Sequence, residues 1–135
     1  MRSLRFAEGE YYHVYNRGVD HRHIVMDKLD SDRFVLGLDL FNSKEPVGSI
    51  YEYSVASPDK KSKVRNRLVE IVCYCLNPNH FHLLLHEICE GGLSSFMKRL
   101  GGYSYHFNLR NQRTGSLFAG QFKAKHILDN SHLLH

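Results

Sequence analysis

Leu68-Val69-Glu70-Ile71-Val72-Cys73-Tyr74-Cys75-Leu76, then Asn77-Pro78-Asn79, then His80-Phe81-His82-Leu83-Leu84-Leu85-His86-Glu87 is the stretch on which the fold turns. The first segment is an almost unbroken apolar, β-prone run, the pattern of a central strand covered on both faces. Asn-Pro-Asn is turn chemistry. In the last segment alternate side chains point to opposite faces of a strand, so Phe81, Leu83 and Leu85 face a core while His80, His82, Leu84 and His86 face away from it. The stretch is therefore a hairpin whose second strand opens on two histidines. Two imidazoles side by side on a rigid strand can supply two nitrogen ligands to one metal ion. Two unrelated polar positions on a half-exposed strand would have the same spacing.

Working outward, Glu10 to Arg17 is rich in aromatic and β-branched residues and stops at Gly18, as a strand does. His13, Tyr15 and Arg17 share one face of it and Tyr12 and Val14 the other; the pattern does not say which is buried. Asp30-Ser31-Asp32 is helix-capping chemistry, and Phe34, Leu38 and Phe41 recur at helical spacing, with Val35 flanking, which places a helix at about 31–43. Residues 44–67 are irregular, with Pro46, Gly48, Pro58 and a Lys/Arg run, and read as a long insertion. Beyond the hairpin, Gly91-Gly92 breaks the chain. Leu93, Phe96, Met97, Leu100, Ser104 and Phe107 then form the stripe of a helix from about 93 to 111. Gly101-Gly102 inside that helix is unfavourable by about 0.8–1 kcal/mol per glycine relative to alanine, so a close approach or a bend is expected there. After a turn at 111–115, residues 116–127 read as a last strand, with Leu117, Ala119, Gln121, Lys123 and Lys125 on one face. Asp129-Asn130-Ser131 would cap a further helix. The order is βαββαβ: an α+β, ferredoxin-like split βαβ fold, with an antiparallel sheet and helices on one face.

Composition sets bounds on function. The chain has 135 residues, 42% hydrophobic and 24% charged, which suits one globular domain spanning 1–135. No apolar run approaches the roughly 20 residues needed to cross a bilayer, and the N-terminus lacks a signal-peptide core, so no membrane partner and a cytoplasmic location are expected. Three cysteines, an odd count without a Cys-x-x-Cys pair, argue against a disulfide frame or a zinc ribbon and read as buried strand thiols. Charge is uneven: residues 1–90 hold 12 Lys+Arg against 13 Asp+Glu, whereas residues 91–135 hold six Lys+Arg against Asp129 alone. A basic C-terminal third points to a polyanion such as nucleic acid. A solvated basic face without a partner has the same composition.

Four motifs in order carry a family resemblance. They are Tyr12-His13-Val14-Tyr15-Asn16-Arg17-Gly18; Cys73 to Leu84 with the histidine pair; Phe96-Met97-Lys98-Arg99-Leu100 continuing to Tyr105-His106-Phe107-Asn108; and Gly115-Ser116-Leu117-Phe118-Ala119-Gly120-Gln121-Phe122-Lys123. With them the chain resembles the single-tyrosine transposases of the HUH superfamily (IS200-like domains), in particular the REP-associated tyrosine transposases. The resemblance implies an endonuclease and strand transferase of mobile elements, acting in DNA transposition and recombination on single-stranded or hairpin DNA. It implies His80 and His82 as ligands of a divalent metal, Mg2+ or Mn2+, and a 5′-phosphotyrosine intermediate. Arg17, Lys98, Arg99, Tyr105, Arg110, Lys123 and Lys125 would contact DNA. It also allows a homodimer, since some relatives share a helix between two copies.

That helix carries the family's nucleophilic tyrosine and a third, amide-bearing metal ligand, and the resemblance places it after His135. The expectation is a domain lacking the tyrosine helix, which binds metal and DNA without nicking and whose catalytic residue is unknown within residues 1–135. Tyr103 and Tyr105 are weaker substitutes on a helix. Two other classes stay open: a non-catalytic single-strand DNA-binding module of the same fold, and a metal-dependent phosphoesterase. The latter needs carboxylates near the pair, and Glu87 falls on the opposite face of the strand.

Overall fold

The computed structural model describes residues 4–45, 48–50, 52 and 66–128. Among the described residues four strands and three α-helices follow one another as β1 (Tyr11–Arg17), α1 (Lys28–Leu40), β2 (Val69–Asn77), β3 (His80–Glu87), α2 (Gly92–Leu100), α3 (Gly102–Arg110) and β4 (Lys123–Ile127). The sheet order is β2-β3-β1-β4, and each neighbouring pair is antiparallel. This is the split βαβ arrangement, α+β with its helices on one face.

The alternation within β1 and β3 determines which face is which. Tyr12, Val14, Phe81, Leu83 and Leu85 are buried, whereas His13, Tyr15, His80 and His82 are only half covered. The helices pack on the first set: Phe34 of α1 lies 5.3 Å from Phe81 and 5.1 Å, edge-on, from Tyr103 of α3. Each such fully buried aromatic contributes about 1.5–3 kcal/mol. The histidines are left on the open face of the sheet.

Helix α1 begins before the Asp30-Ser31-Asp32 cluster. Its N-cap is Asp27, which accepts the Asp30 N–H, and Asp30 turns back to accept the Met26 N–H. Asp30 is fully buried and pairs at 2.9 Å with Arg110, which also bonds Asp27 at 2.8 Å, so the end of α3 is tied to the start of α1. At the other end, Asn42 accepts the N–H groups of Leu68 and Val69 and donates to the Val69 carbonyl, fastening β2.

Four sequence expectations are corrected. The run 68–76 is not a central strand: β2 lies at the sheet edge, a register shift between Ile71 and Cys73 offsets Val72, and Val72 and Tyr74 are 47% and 48% exposed. Its thiols are not buried either, since Cys73 and Cys75 are exposed on the uncovered face. The helix expected over about 93–111 is two, parted at Gly101. A side chain at Gly102 would lie 2.8 Å from the Phe41 ring, so the glycine there allows α1 and α3 to approach. The strand expected from 116 shrinks to 123–127. Gly120 turns the backbone at φ +84°, its carbonyl is held by the Asn16 amide, and Leu117 is buried while Lys123 and Lys125 are exposed. Most of the 44–67 insertion and the capping signal at 129–131 lie outside the described residues. No helix among the described residues is long and apolar enough to cross a membrane.

Candidate metal and nucleic-acid site

His80 and His82 stand together on the open face, their rings 5.2 Å apart and nearly perpendicular. The turn before them does more than reverse the chain. Asn79 Oδ1 lies 2.8 Å from His80 Nδ1, and Asn77 Nδ2 lies 3.1 Å from His80 Nε2. An amide oxygen only accepts and an amide nitrogen only donates. His80 therefore carries its proton on Nδ1, and its Nε2 lone pair accepts from the Asn77 amide, a bond that an ion at Nε2 would have to displace.

His82 has a partner that the strand pattern alone did not identify. His13 of β1 brings its Nε2 within 2.8 Å of His82 Nδ1, with the rings 5.0 Å apart and tilted by 24°. Burial, then the neighbouring His82 and Lys125, push the His13 imidazole below its ordinary 6.5. Burial and then His80 lower His82 likewise. Both shifts favour neutral rings, so each has one N–H and one lone pair to share.

Tyr15 completes this patch, its ring 5.8 Å from His82 and 5.0 Å from His13. A cavity of about 310 Å³ opens beside it, lined by Tyr15, Arg17, His21, His80, His82 and Lys123 among others. In the β1–β4 register His13 faces Lys125 and Tyr15 faces Lys123. Arg17, Lys123 and Lys125 are exposed on the histidine face, along one edge of the site.

The other named residues are not gathered there. Lys98, Arg99, Tyr105 and Arg110 sit on α2 and α3, across the sheet from the histidines. Arg99 donates to the carbonyls of Ser43, Lys44 and Glu45, and Arg110 is engaged with Asp27 and Asp30. Tyr105 is 65% exposed on that side. Tyr103 is fully buried and donates its hydroxyl to the Ile24 carbonyl, with burial raising its pKa far above the usual phenol value. It has no path to a phosphate at the histidines. A larger cleft of about 640 Å³ beside Arg5, Lys98 and the buried Glu87 holds no histidine. Glu87 indeed faces away from the pair and accepts the Leu93 N–H at the start of α2.

The donor set can be tested against a metal. Among the described residues no group of three or more His, Cys, Asp or Glu encloses an ion site. The pair supplies two imidazole nitrogens and no carboxylate. That fits an ion held by two protein nitrogens and completed by oxygens from outside the described residues, such as phosphate or water. It suits a transition ion better than Mg2+, which prefers oxygen ligands.

No family model matches this sequence, and no curated protein does. Solved structures do. A REP-associated tyrosine transposase bound to a REP hairpin is similar over 100% of this chain and 67% of its own, with TM-score 0.62 and 13% identity. A protein assigned as a transposase from Deinococcus radiodurans R1 is similar over 99% of this chain and 92% of its own, with TM-score 0.56 and 13% identity. The likeness is one of fold.

The sequence missed His13 and Tyr15 as neighbours of the pair. It set them on one face of β1, but only strand pairing brings that face beside His82. Asn77 and Asn79 were read as turn formers alone. Their chemistry as donor and acceptor beside a ligand histidine was the signal available.

Proposed function

We propose that this chain is a transposase-type domain that binds a divalent ion through His80 and His82 and a single-stranded or hairpin DNA across the open sheet face, for nicking and strand transfer. The carrying observation is the histidine pair on a sheet face that no described helix covers, on the same side as the exposed Arg17, Lys123 and Lys125. A bound ion would polarise the scissile phosphate and stabilise charge on its oxygens. The chain's own groups do the rest. Lys123, Lys125 and Arg17 attract and orient the backbone, Tyr15 offers a ring on which an unpaired base stacks, and the Asn77–Asn79 turn holds His80 in its ligand tautomer. The resemblance takes the attacking hydroxyl from a tyrosine, and no residue is assigned to that role. The two-nitrogen donor set favours Mn2+ over Mg2+.

The test is a Mn2+ titration followed by electron paramagnetic resonance, with wild type beside the His80→Ala/His82→Ala double variant. Binding in the wild type and none in the variant is expected. An unchanged titration in the variant sinks the metal assignment. In parallel, a labelled hairpin oligonucleotide with an unpaired flank should bind more tightly than the blunt duplex and weaken steeply with salt. Metal-dependent hydrolysis without any protein–DNA adduct would favour a phosphoesterase instead.

A further inference from the structure

The contact between His13 and His82 joins two strands at the centre of the sheet, where Tyr15 pairs with His82 and His13 with Leu84. It is a hydrogen bond between two imidazoles, and its direction matters. If His13 donates from Nε2, His82 must hold its own proton on Nε2 and cannot bind an ion through that atom. If His82 donates from Nδ1, its Nε2 keeps the lone pair. Among the described residues no hydrogen-bond partner occupies Nε2 of His82, and its neighbour His80 is already set with Nδ1 as donor to Asn79 and Nε2 accepting from Asn77. Both members of the pair thus turn the Nδ1 edge to a partner, Asn79 of the hairpin turn for His80 and His13 of β1 for His82.

We propose that His13 is a positioning residue for His82: it accepts the His82 Nδ1–H, fixing the tautomer and ring orientation that leave Nε2 free to bind the divalent ion. The inference rests on the metal reading above for its consequence, though the tautomer itself does not depend on any metal. A ligand histidine generally donates its other N–H to a fixed acceptor, and loss of such an acceptor typically lowers metal affinity by 10–100-fold. Here the acceptor is another imidazole rather than a carboxylate, and it comes from the neighbouring strand. That makes the β1–β3 register part of the site. It also gives His13 a role distinct from ligation, because its Nε2 is engaged by the His82 ring.

Two measurements separate the possibilities. Nitrogen-15 spectra of the imidazole rings in the metal-free protein should show His82 protonated on Nδ1 in the wild type. His13→Ala should convert it to mixed tautomers. His13→Gln, whose amide oxygen reaches the same place, should restore the Nδ1–H form. In Mn2+ titrations the alanine variant should bind about 10–100-fold more weakly, with an unchanged far-ultraviolet spectrum, and the glutamine variant should recover most of the loss. A wild-type His82 protonated on Nε2 overturns the proposal, as does an alanine variant with unaltered tautomer and affinity. Loss of binding in both variants would make His13 a ligand itself and overturn the positioning role. A wild type that binds no Mn2+ yet shows the Nδ1–H tautomer and its loss in His13→Ala would sustain the hydrogen bond and sink the metal reading.

Discussion

His80 and His82 share a face because strand geometry repeats every two residues, and that much follows from spacing. What makes them chemically defined is their partners: Asn79 and Asn77 on His80, His13 on His82. The first two were visible in the sequence as neighbours in the chain. The third lies 69 residues away, and no local pattern connects it to the pair. The cysteines teach the same lesson in reverse. An apolar run suggests buried thiols, but burial depends on what packs above the strand, and among the described residues nothing covers the open face at Cys73 and Cys75. Both should therefore react with a disulfide reagent at rates near that of a free thiol, while half-buried Cys89, whose thiol meets the Leu68 carbonyl, reacts more slowly. Time-resolved labelling with mass spectrometry checks this, and protection of Cys75 would mean that another surface covers the sheet edge.

At the scale of elements, the hairpin and the first strand lie where the sequence placed them. Turn chemistry and period-two alternation are local signals, and both are strong here. The long helix and the long last strand were read less well. Each contains glycines whose meaning is tertiary. At Gly102 the residue type answers to the Phe41 ring at the C-cap of α1, and at Gly120 to the Asn16 amide on β1. Gly102→Ala tests the first. Helix propensity favours alanine by about 0.8–1 kcal/mol, whereas overpacking costs about 1–3 kcal/mol. A buried Phe41 leaves the ring little room to yield, so a net loss of about 1 kcal/mol is expected in urea unfolding. A stabilised variant would mean that the α1–α3 approach is looser than 2.8 Å implies.

For the whole molecule, charge and protonation follow from how the layers are stacked. The sequence showed a basic C-terminal third; the fold divides it. Arg99 and Arg110 hold the helical layer to its neighbours, and Lys123 and Lys125 reach the histidine face. Half-buried imidazoles add a pH dependence. His13, His82 and His106 all have pKa values lowered from 6.5, chiefly by desolvation. The unfolded chain then takes up protons before the folded one as pH falls below 6.5, so stability is full above that pH and declines as pH drops toward the folded values. The urea midpoint should fall between pH 7.5 and pH 5, and His13→Gln should flatten part of the slope. A midpoint independent of pH across that range would refute the burial of these rings.

The sequence by itself determined the order of elements, the hairpin, the shared face of His80 and His82 and the fold class, because each depends on contacts between near neighbours or on hydrophobic period. Strand order decided the rest. Placing β3 and β1 side by side at the centre brought His13 and Tyr15 to the pair, and placing β2 at the edge exposed a run that reads as core. Those outcomes depend on which residues far apart in the chain become neighbours across a sheet, and a single chain's periodicity carries no record of that.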